Sequence, residues 1–344
     1  MTAISEAVSK LVMGRDLGFD EARTVMDSIM SGQCSEVAIS AYLTALAQKG
    51  ETVDEIAGSA AEMRAHSVKL PGDHSDDLEI VGTGGDKSGS FNISTTSAFV
   101  IAACGVRVAK HGNRAMSSRS GAADVLEALG ARLDVSPEAS ERILDECGFA
   151  FMFAQRYHSS MRYVAPVRRE LGFRTIFNIL GPLTNPASAG NQLTGVYSES
   201  LIEPVANSLD RLGVRNALVV YGRDGIDELS VCTETVCGEM RNGSLDTYTV
   251  SPEDFGLTRS PHDSLLGGGP QDNAAITRAI LSGRTGPTRD AVLINAGAGL
   301  FTARKAGSIQ EGIEMSRNAI DSGEAMRRLE MFVRLTGEEN GSDS

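Results

Sequence analysis

The sequence predicts an α/β protein: a small all-helical domain joined to a larger α/β domain built on a central mixed β-sheet flanked by helices. Three observations predict it. The first seventy residues carry apolar positions at helical spacing, without strand-like alternation. From Leu78 onward, short apolar and β-branched runs alternate with helix-like segments. Between Leu229 and Val250, three strand-like runs stand too close together for crossover helices, so antiparallel pairing is expected there.

Val25, Met26, Ile29 and Met30 share one helical face between Asp20 and Ser31. Val37, Ile39, Tyr42, Leu43 and Leu46 do the same in the next segment. Thr52 and Glu55 have capping-box spacing ahead of Ile56, Ala60 and Met63. Pro71-Gly72-Asp73 ends the helical pattern, which sets the domain boundaries at 1–70 and 73 onward. The expected strands are Leu78–Val81, Val106–Lys110, Asn216–Tyr221, Leu229–Cys232, Thr235–Arg241 and Thr247–Val250. A buried helix is expected over Thr96–Cys104, and the stretch after Tyr157 reads as helical up to Gly172. Asn273–Leu281, Asp290–Phe301 and Ile309–Leu335 are helix-like, and Gly337–Ser344 is a polar tail expected to fray.

The chain has 344 residues, 41% hydrophobic and 22% charged, which is ordinary for a globular protein. Its formal net charge of −13 and sequence pI near 4.9, with no Lys/Arg block longer than two, exclude an electrostatic nucleic-acid binder. Cysteines at 34, 104, 147, 232 and 237 are odd in number and scattered, as expected of reduced thiols in the cytoplasm. The amino terminus lacks the order of a secretory signal, and no apolar run approaches the ~20 residues of a membrane span, so no membrane partner is expected.

The chemistry concentrates between Glu79 and Glu127. Gly82, Gly84 and Gly85 follow a strand-like run and can expose backbone N–H groups to an anion. Asn92-Ile93-Ser94-Thr95 opens a helix whose free N–H groups and positive dipole end face the same loop. Lys110, His111, Asn113 and Arg114 come next. Three anion-binding devices in series suit a ligand with several phosphoryl groups. The spacing matches neither a Rossmann nor a Walker loop, so by itself it defines a generic phosphate loop. Further on, the adjacent acids Asp227 and Glu228 can aim at one Mg²⁺, although adjacent acids on a loop are more often merely solvated. Arg168 and Arg169 each offer a guanidinium fork for a carboxylate, and spacing does not choose between them. His111 reads as a hydrogen-bonded loop residue more readily than as a general base.

Gly82-Thr83-Gly84-Gly85-Asp86, Asn92-Ile93-Ser94-Thr95, Lys110-His111-Gly112-Asn113-Arg114-Ala115 and Ser120-Gly121-Ala122-Ala123-Asp124-Val125-Leu126-Glu127, in this order, resemble the signature blocks of the anthranilate phosphoribosyltransferases. The likeness extends over nearly the whole chain and departs at Ser159-Ser160 and at Gly269. It implies a nucleoside phosphorylase-like fold. In that fold residues 161–188 leave the α/β domain (73–160 and 189–336) to pack on the amino-terminal helices. It implies transfer of phosphoribose from phosphoribosyl pyrophosphate (PRPP) to anthranilate, the second step of tryptophan biosynthesis from chorismate.

The resemblance assigns PRPP to Gly85, Asp86, Ser90, Asn92, Ile93, Ser94, Thr95, Lys110, His111, Gly112, Asn113, Arg114, Ala115, Met116, Ser117, Ser118 and Ala122. It assigns anthranilate to Gly82, Asn113, His158 and Arg168, and two magnesium ions to Ser94, Asp227 and Glu228. Lys110, Arg168 and Glu228 are the residues it implies for catalysis. It also implies a homodimer formed through the helical domain, and leaves open an anthranilate synthase (glutamine amidotransferase) partner. The rival readings are a pyrimidine nucleoside phosphorylase and a non-catalytic nucleic-acid-binding relative. Asn113-Arg114-Ala115 and the Asp227-Glu228 pair point away from the first, and the acidic charge points away from the second.

Overall fold

The computed structural model describes residues 2–115 and 119–338. Its amino-terminal helices are α1 (Ala3–Val12), α2 (Phe19–Met30), α3 (Glu36–Lys49) and α4 (Val53–Ala65). The capping box forms at α4: Thr52 Oγ1 accepts the Glu55 N–H at 3.3 Å, and Glu55 Oε2 accepts the Thr52 N–H at 2.8 Å. The apolar stripe of α2 is buried, as are Ile39, Tyr42, Leu43 and Leu46 of α3. Val37 is not: it is 80% exposed, because it lies two positions before Ile39, about 200° around the helix.

The larger part contains β1 (Leu78–Gly82), α5 (Ile93–Ala103), β2 (Val108–Gly112), α6 (Ala122–Ala128), α7 (Pro137–Cys147), β3 (Phe149–Phe153) and α8 (Ala154–Tyr157). After α9 (Ala165–Leu171) and α10 (Phe177–Leu183) come β4 (Asn191–Gly195), α11 (Ile202–Arg211), β5 (Asn216–Gly222), β6 (Thr235–Arg241) and β7 (Ser244–Val250). Helices α12 (Pro270–Leu281), α13 (Pro287–Thr302), α14 (Ile309–Asp321) and α15 (Glu324–Glu338) complete the described chain. No helix among the described residues is long and apolar enough to cross a membrane.

The seven strands form one mixed sheet in the order β3-β2-β1-β4-β5-β6-β7, parallel from β3 to β5 and antiparallel from β5 to β7. The chain winds outward from β1 to β3, then returns to place β4 on the other side of β1. Connections therefore leave β1 and β4 in opposite directions, which opens a crevice at their carboxyl ends.

Several expectations need correction. Strands β3 and β4 lie outside the expected set. Leu229–Cys232 is not a strand, because side chains occupy its backbone: Thr235 Oγ1 accepts from the Ser230 N–H at 2.9 Å, and Ser230 Oγ accepts from the Cys232 N–H at 2.9 Å. Helix α5 begins at Ile93 rather than Thr96, and β2 runs over 108–112, which puts His111 and Gly112 in a strand rather than a loop. Ile309–Leu335 is two helices broken at Gly323, whose φ of 76° ends α14. Helix α15 continues to Glu338, while the rest of the polar tail, 339–344, lies outside the described residues.

Two large cores hold the molecule together. One lies between one sheet face and α5, α13, α14 and α15. The other joins Val25, Met26 and Ile29 with Val164, Val167, Phe177 and Leu180, and continues to α11. Alternation along β5 divides its side chains between them, Leu218 and Val220 to the first, Ala217 and Val219 to the second.

Candidate functional site

Gly82 and Gly195 end β1 and β4 directly opposite each other, at the crevice. The turn after β5 lays Asp227 across both ends. A Cβ at Gly195 would stand 1.5 Å from the Asp227 carbonyl oxygen, and one at Gly82 would stand 2.3 Å from Asp227 Oδ2. Only strand ends without side chains let the acidic turn approach this closely. Asp227 Oδ2 accepts the Gly84 N–H at 2.6 Å, and Glu228 Oε1 accepts the Ser94 N–H, in the first turn of α5, at 3.1 Å. The sequence devices thus meet: the glycine loop holds one acid and the helix N-terminus the other.

Between β1 and β2 the strands pair in register at Leu78 and Val108. Beyond it, side chains enter the gap. Glu79, fully buried, accepts the His111 N–H at 2.9 Å and a hydrogen bond from Asn185 Nδ2. Lys110, 2% exposed, donates from Nζ to the Ile80 carbonyl and to Ser94 Oγ at 3.3 Å. Burial pushes the Lys110 pKa down, opposed by Glu79, Glu228 and Asp227. Burial raises Glu79, opposed chiefly by Lys110. It also raises Asp227 and Glu228, reinforced by the Asp86 carboxylate beside the first and by Asp227 beside the second.

The loop from Gly84 to Gly89 takes left-handed φ at Gly84, Gly85, Lys87 and Gly89, then returns through an antiparallel bridge between Ser90 and Leu266. Arg174 stacks 3.9 Å over the Tyr197 ring and donates from Nη2 to the Gly85 carbonyl at 2.7 Å. Asn92 precedes α5 without capping it, because its Oδ1 accepts from Asn273 Nδ2 at 2.8 Å. Asp124 gathers the N–H groups of Ala115 and Gly121 at 2.9 and 2.8 Å, and Arg114 pairs with Asp124 and Glu127. Ala122 opens α6, Asn113 is exposed, and Ile93 and Thr95 are buried in α5. Met116, Ser117 and Ser118 lie outside the described residues.

His111 and His158 are buried with ring centroids 4.9 Å apart, and His158 Nε2 is 2.9 Å from the Thr184 carbonyl. Burial lowers His158 to about 4, and lowers His111 well below the usual imidazole value with help from His158. Both are neutral near pH 7. His111 Nε2 has no hydrogen-bond partner among the described residues, and the ring's hydrogen bond goes to the Gly181 backbone rather than to a carboxylate. Arg168 is half-buried on α9, its guanidinium 5.4 Å from the Phe177 ring centroid, while Arg169 is exposed. No hydrogen bond or ion pair among the described residues engages the Arg168 guanidinium. A contact to the glycine loop comes from Arg174, which sequence reasoning missed, as it missed Glu79 and Gly195. A carboxylate inside the apolar run Leu78–Val81 was the one visible signal for Glu79.

The donor set suits magnesium. Asp227 and Glu228 offer hard oxygens beside the Ser94 hydroxyl, and each accepts a backbone N–H at one oxygen. Among the described residues, the only cluster of three His, Cys, Asp or Glu side chains with ligand atoms within 4.8 Å is Asp27 on α2 with Glu62 and His66 at the end of α4. Arg23 and mutual hydrogen bonds already satisfy it.

Residues 5–67 match the helical bundle domain of the glycosyl transferase family, and residues 74–326 match its a/b domain. Anthranilate phosphoribosyltransferases of Lachnoclostridium phytofermentans and Methanobrevibacter smithii are each 55% identical over 97% of this chain and 99% of their own. The crystal structure of the Thermus thermophilus enzyme superposes with a TM-score of 0.92 at 46% identity, covering 98% of this chain and 100% of that one. The Saccharomyces cerevisiae enzyme in complex with PRPP and Mg superposes at 0.90 with 28% identity, over 97% and 98% of the two chains. Likeness of this extent takes in the glycine loop, β2 and the Asp227–Glu228 turn together, and by it the chain belongs to the anthranilate phosphoribosyltransferase family.

Proposed function

We propose that the crevice at β1 and β4 transfers the phosphoribosyl group of PRPP to the amine of anthranilate, giving N-(5-phosphoribosyl)anthranilate and pyrophosphate. The observation that carries this reading is the meeting of Asp227, Glu228, Lys110 and the first turn of α5 on one glycine loop. The Gly84–Ser94 backbone and the loop after β2 cradle the phosphates, and Lys110 presents a buried ammonium to the leaving group. Asp227, Glu228 and Ser94 hold magnesium, two ions in all. When bound, magnesium neutralises charge on the departing pyrophosphate. Arg168 takes the anthranilate carboxylate in its guanidinium fork, with Gly82, Asn113 and His158 around the ring. The amine nitrogen bonds to ribosyl C1 as the C1–oxygen bond to pyrophosphate breaks, and the surplus amine proton passes to solvent. An aromatic amine is neutral near pH 7, so the site needs no general base, in keeping with a His111 that burial keeps neutral. Holding the amine against C1 is the larger task.

Anthranilate is fluorescent, and its consumption should require both PRPP and a divalent cation. Unchanged turnover in excess chelator would contradict the metal assignment. Arg168→Ala should raise the anthranilate requirement roughly ten- to hundredfold, from loss of a charge-assisted pair worth ~1.5–3 kcal/mol. PRPP binding should be almost unaffected, and a variant that lost PRPP binding instead would move the assignment to Arg169.

The same reading includes a two-fold homodimer. Val12, Met13 and Val37, in the helical region, are 73%, 70% and 80% exposed, an apolar surface for a second copy to cover. Light scattering should give twice the 36.3 kDa chain mass, and the single mass at micromolar concentration would refute the dimer. We place the reaction in the cytoplasm, where the five free cysteines stay reduced; recovery of the protein in a membrane fraction would count against this.

A further inference from the structure

Leu229 follows the acidic pair, lies in no strand, and is 1% exposed. Its backbone groups need partners all the same. One side chain supplies both: the Leu229 N–H donates to Asn295 Oδ1 at 2.9 Å, and Asn295 Nδ2 donates to the Leu229 carbonyl at 2.9 Å. Asn295 is fully buried on α13, and Nδ2 also donates to the Ala291 carbonyl at 2.9 Å, one turn back, which holds the amide in one orientation. A primary amide is the side-chain group that sets a donor and an acceptor side by side; a leucine has the same fork at Cγ but neither group, and an ionised aspartate only accepts. Helix α13 packs on α5, whose Ser94 N–H holds Glu228. The acidic turn is therefore gripped by two neighbouring helices, at Glu228 from α5 and at Leu229 from α13.

We propose that Asn295 is a positioning residue for the metal–pyrophosphate site. Acting through the Leu229 backbone, its amide sets how far Asp227 and Glu228 stand above the ends of β1 and β4. This rests on the metal reading of that pair. Residues that hold metal ligands in place typically account for 10–100-fold in metal affinity, so Asn295→Leu should weaken the metal site by roughly that factor while the fold persists.

The test uses Mn²⁺ as the probe, with saturating PRPP and no anthranilate, and reads free ion by electron paramagnetic resonance. Four proteins are compared: wild type, Asn295→Leu, Glu228→Gln and Thr302→Val. Thr302, buried on the same helix, donates to the Ala298 carbonyl at 2.8 Å, so its loss disturbs α13 without touching the turn. The expected result is weaker Mn²⁺ binding in Asn295→Leu and Glu228→Gln, with Thr302→Val at the wild-type level. Wild-type binding in Asn295→Leu beside weakened Glu228→Gln would overturn the proposal, as would equal weakening in Thr302→Val. Wild-type binding in Glu228→Gln would overturn the metal reading itself. Hydrogen exchange on the wild-type protein adds a measurement that does not depend on any variant folding: the Leu229 amide should exchange as slowly as those of β5, and rapid exchange would also overturn the proposal.

Discussion

Gly195→Ala should leave a folded protein that has lost at least about 100-fold in turnover, because misplacing a reacting group by about 1 Å already costs that much. The added Cβ would sit 1.5 Å from the Asp227 carbonyl oxygen and 2.2 Å from its carbonyl carbon. Those are backbone atoms and cannot swing aside, so the whole turn must rise from the strand ends and carry Glu228 with it. Gly195 does not have a left-handed φ, so the effect is one of contact and not of backbone strain. Gly82→Ala is milder, since its Cβ meets the end of the Asp227 side chain. Gly190→Ala provides the control: just before β4, at the opposite end from the site, its Cβ would meet the Ser75 carbonyl oxygen at 2.0 Å. That variant should lose thermal stability while the folded fraction keeps its metal and PRPP requirements. Equal loss of turnover per folded molecule in both variants would mean that Gly195 serves the fold alone.

The same positions show how much could be read from the chain beforehand. The helical amino terminus was legible because Val25, Met26, Ile29 and Met30 repeat at helical spacing and are buried accordingly. Strand β4 was not, because Asn191-Gln192-Leu193-Thr194-Gly195 has the composition of a loop. It is buried because side-chain amides find partners: Gln192 Nε2 donates to the Pro182 carbonyl at 2.7 Å, and Asn191 Nδ2 to the Asp76 carbonyl at 3.0 Å. Leu229–Cys232 failed in the reverse direction, as an apolar run whose backbone is claimed by Asn295, Ser230 and Thr235. At the site, residue type and local order suggested only a generic phosphate loop, and the roles expected of Lys110 and the acidic pair came from the family resemblance of the motifs around them. Glu79, Arg174 and Asn295 act across sequence separations of 32, 89 and 66 residues, which local pattern does not encode.

Lys110→Met should lower kcat by about 10²–10³, the cost typical of removing one preorganised group aimed at developing negative charge. Methionine keeps the length of the lysine stem and removes only the charge. In the folded protein the Lys110 ammonium meets a carbonyl and a hydroxyl, Ile80 O and Ser94 Oγ, while three carboxylates act on it electrostatically. An ammonium buried to 2% exposure with such partners is costly to the fold, and a negatively charged ligand would complete its surroundings. Removing it need not unfold the chain, because burial already raises the Glu79 pKa and the acid can keep its proton when its countercharge is gone. The anthranilate KM should hardly move, since Arg168 rather than Lys110 is assigned to that substrate. Lys110→Arg, which keeps the charge in a bulkier head, should retain more activity than Lys110→Met. A Lys110→Met enzyme with kcat within about threefold of wild type would place the leaving-group charge entirely on other groups and remove Lys110 from the chemistry.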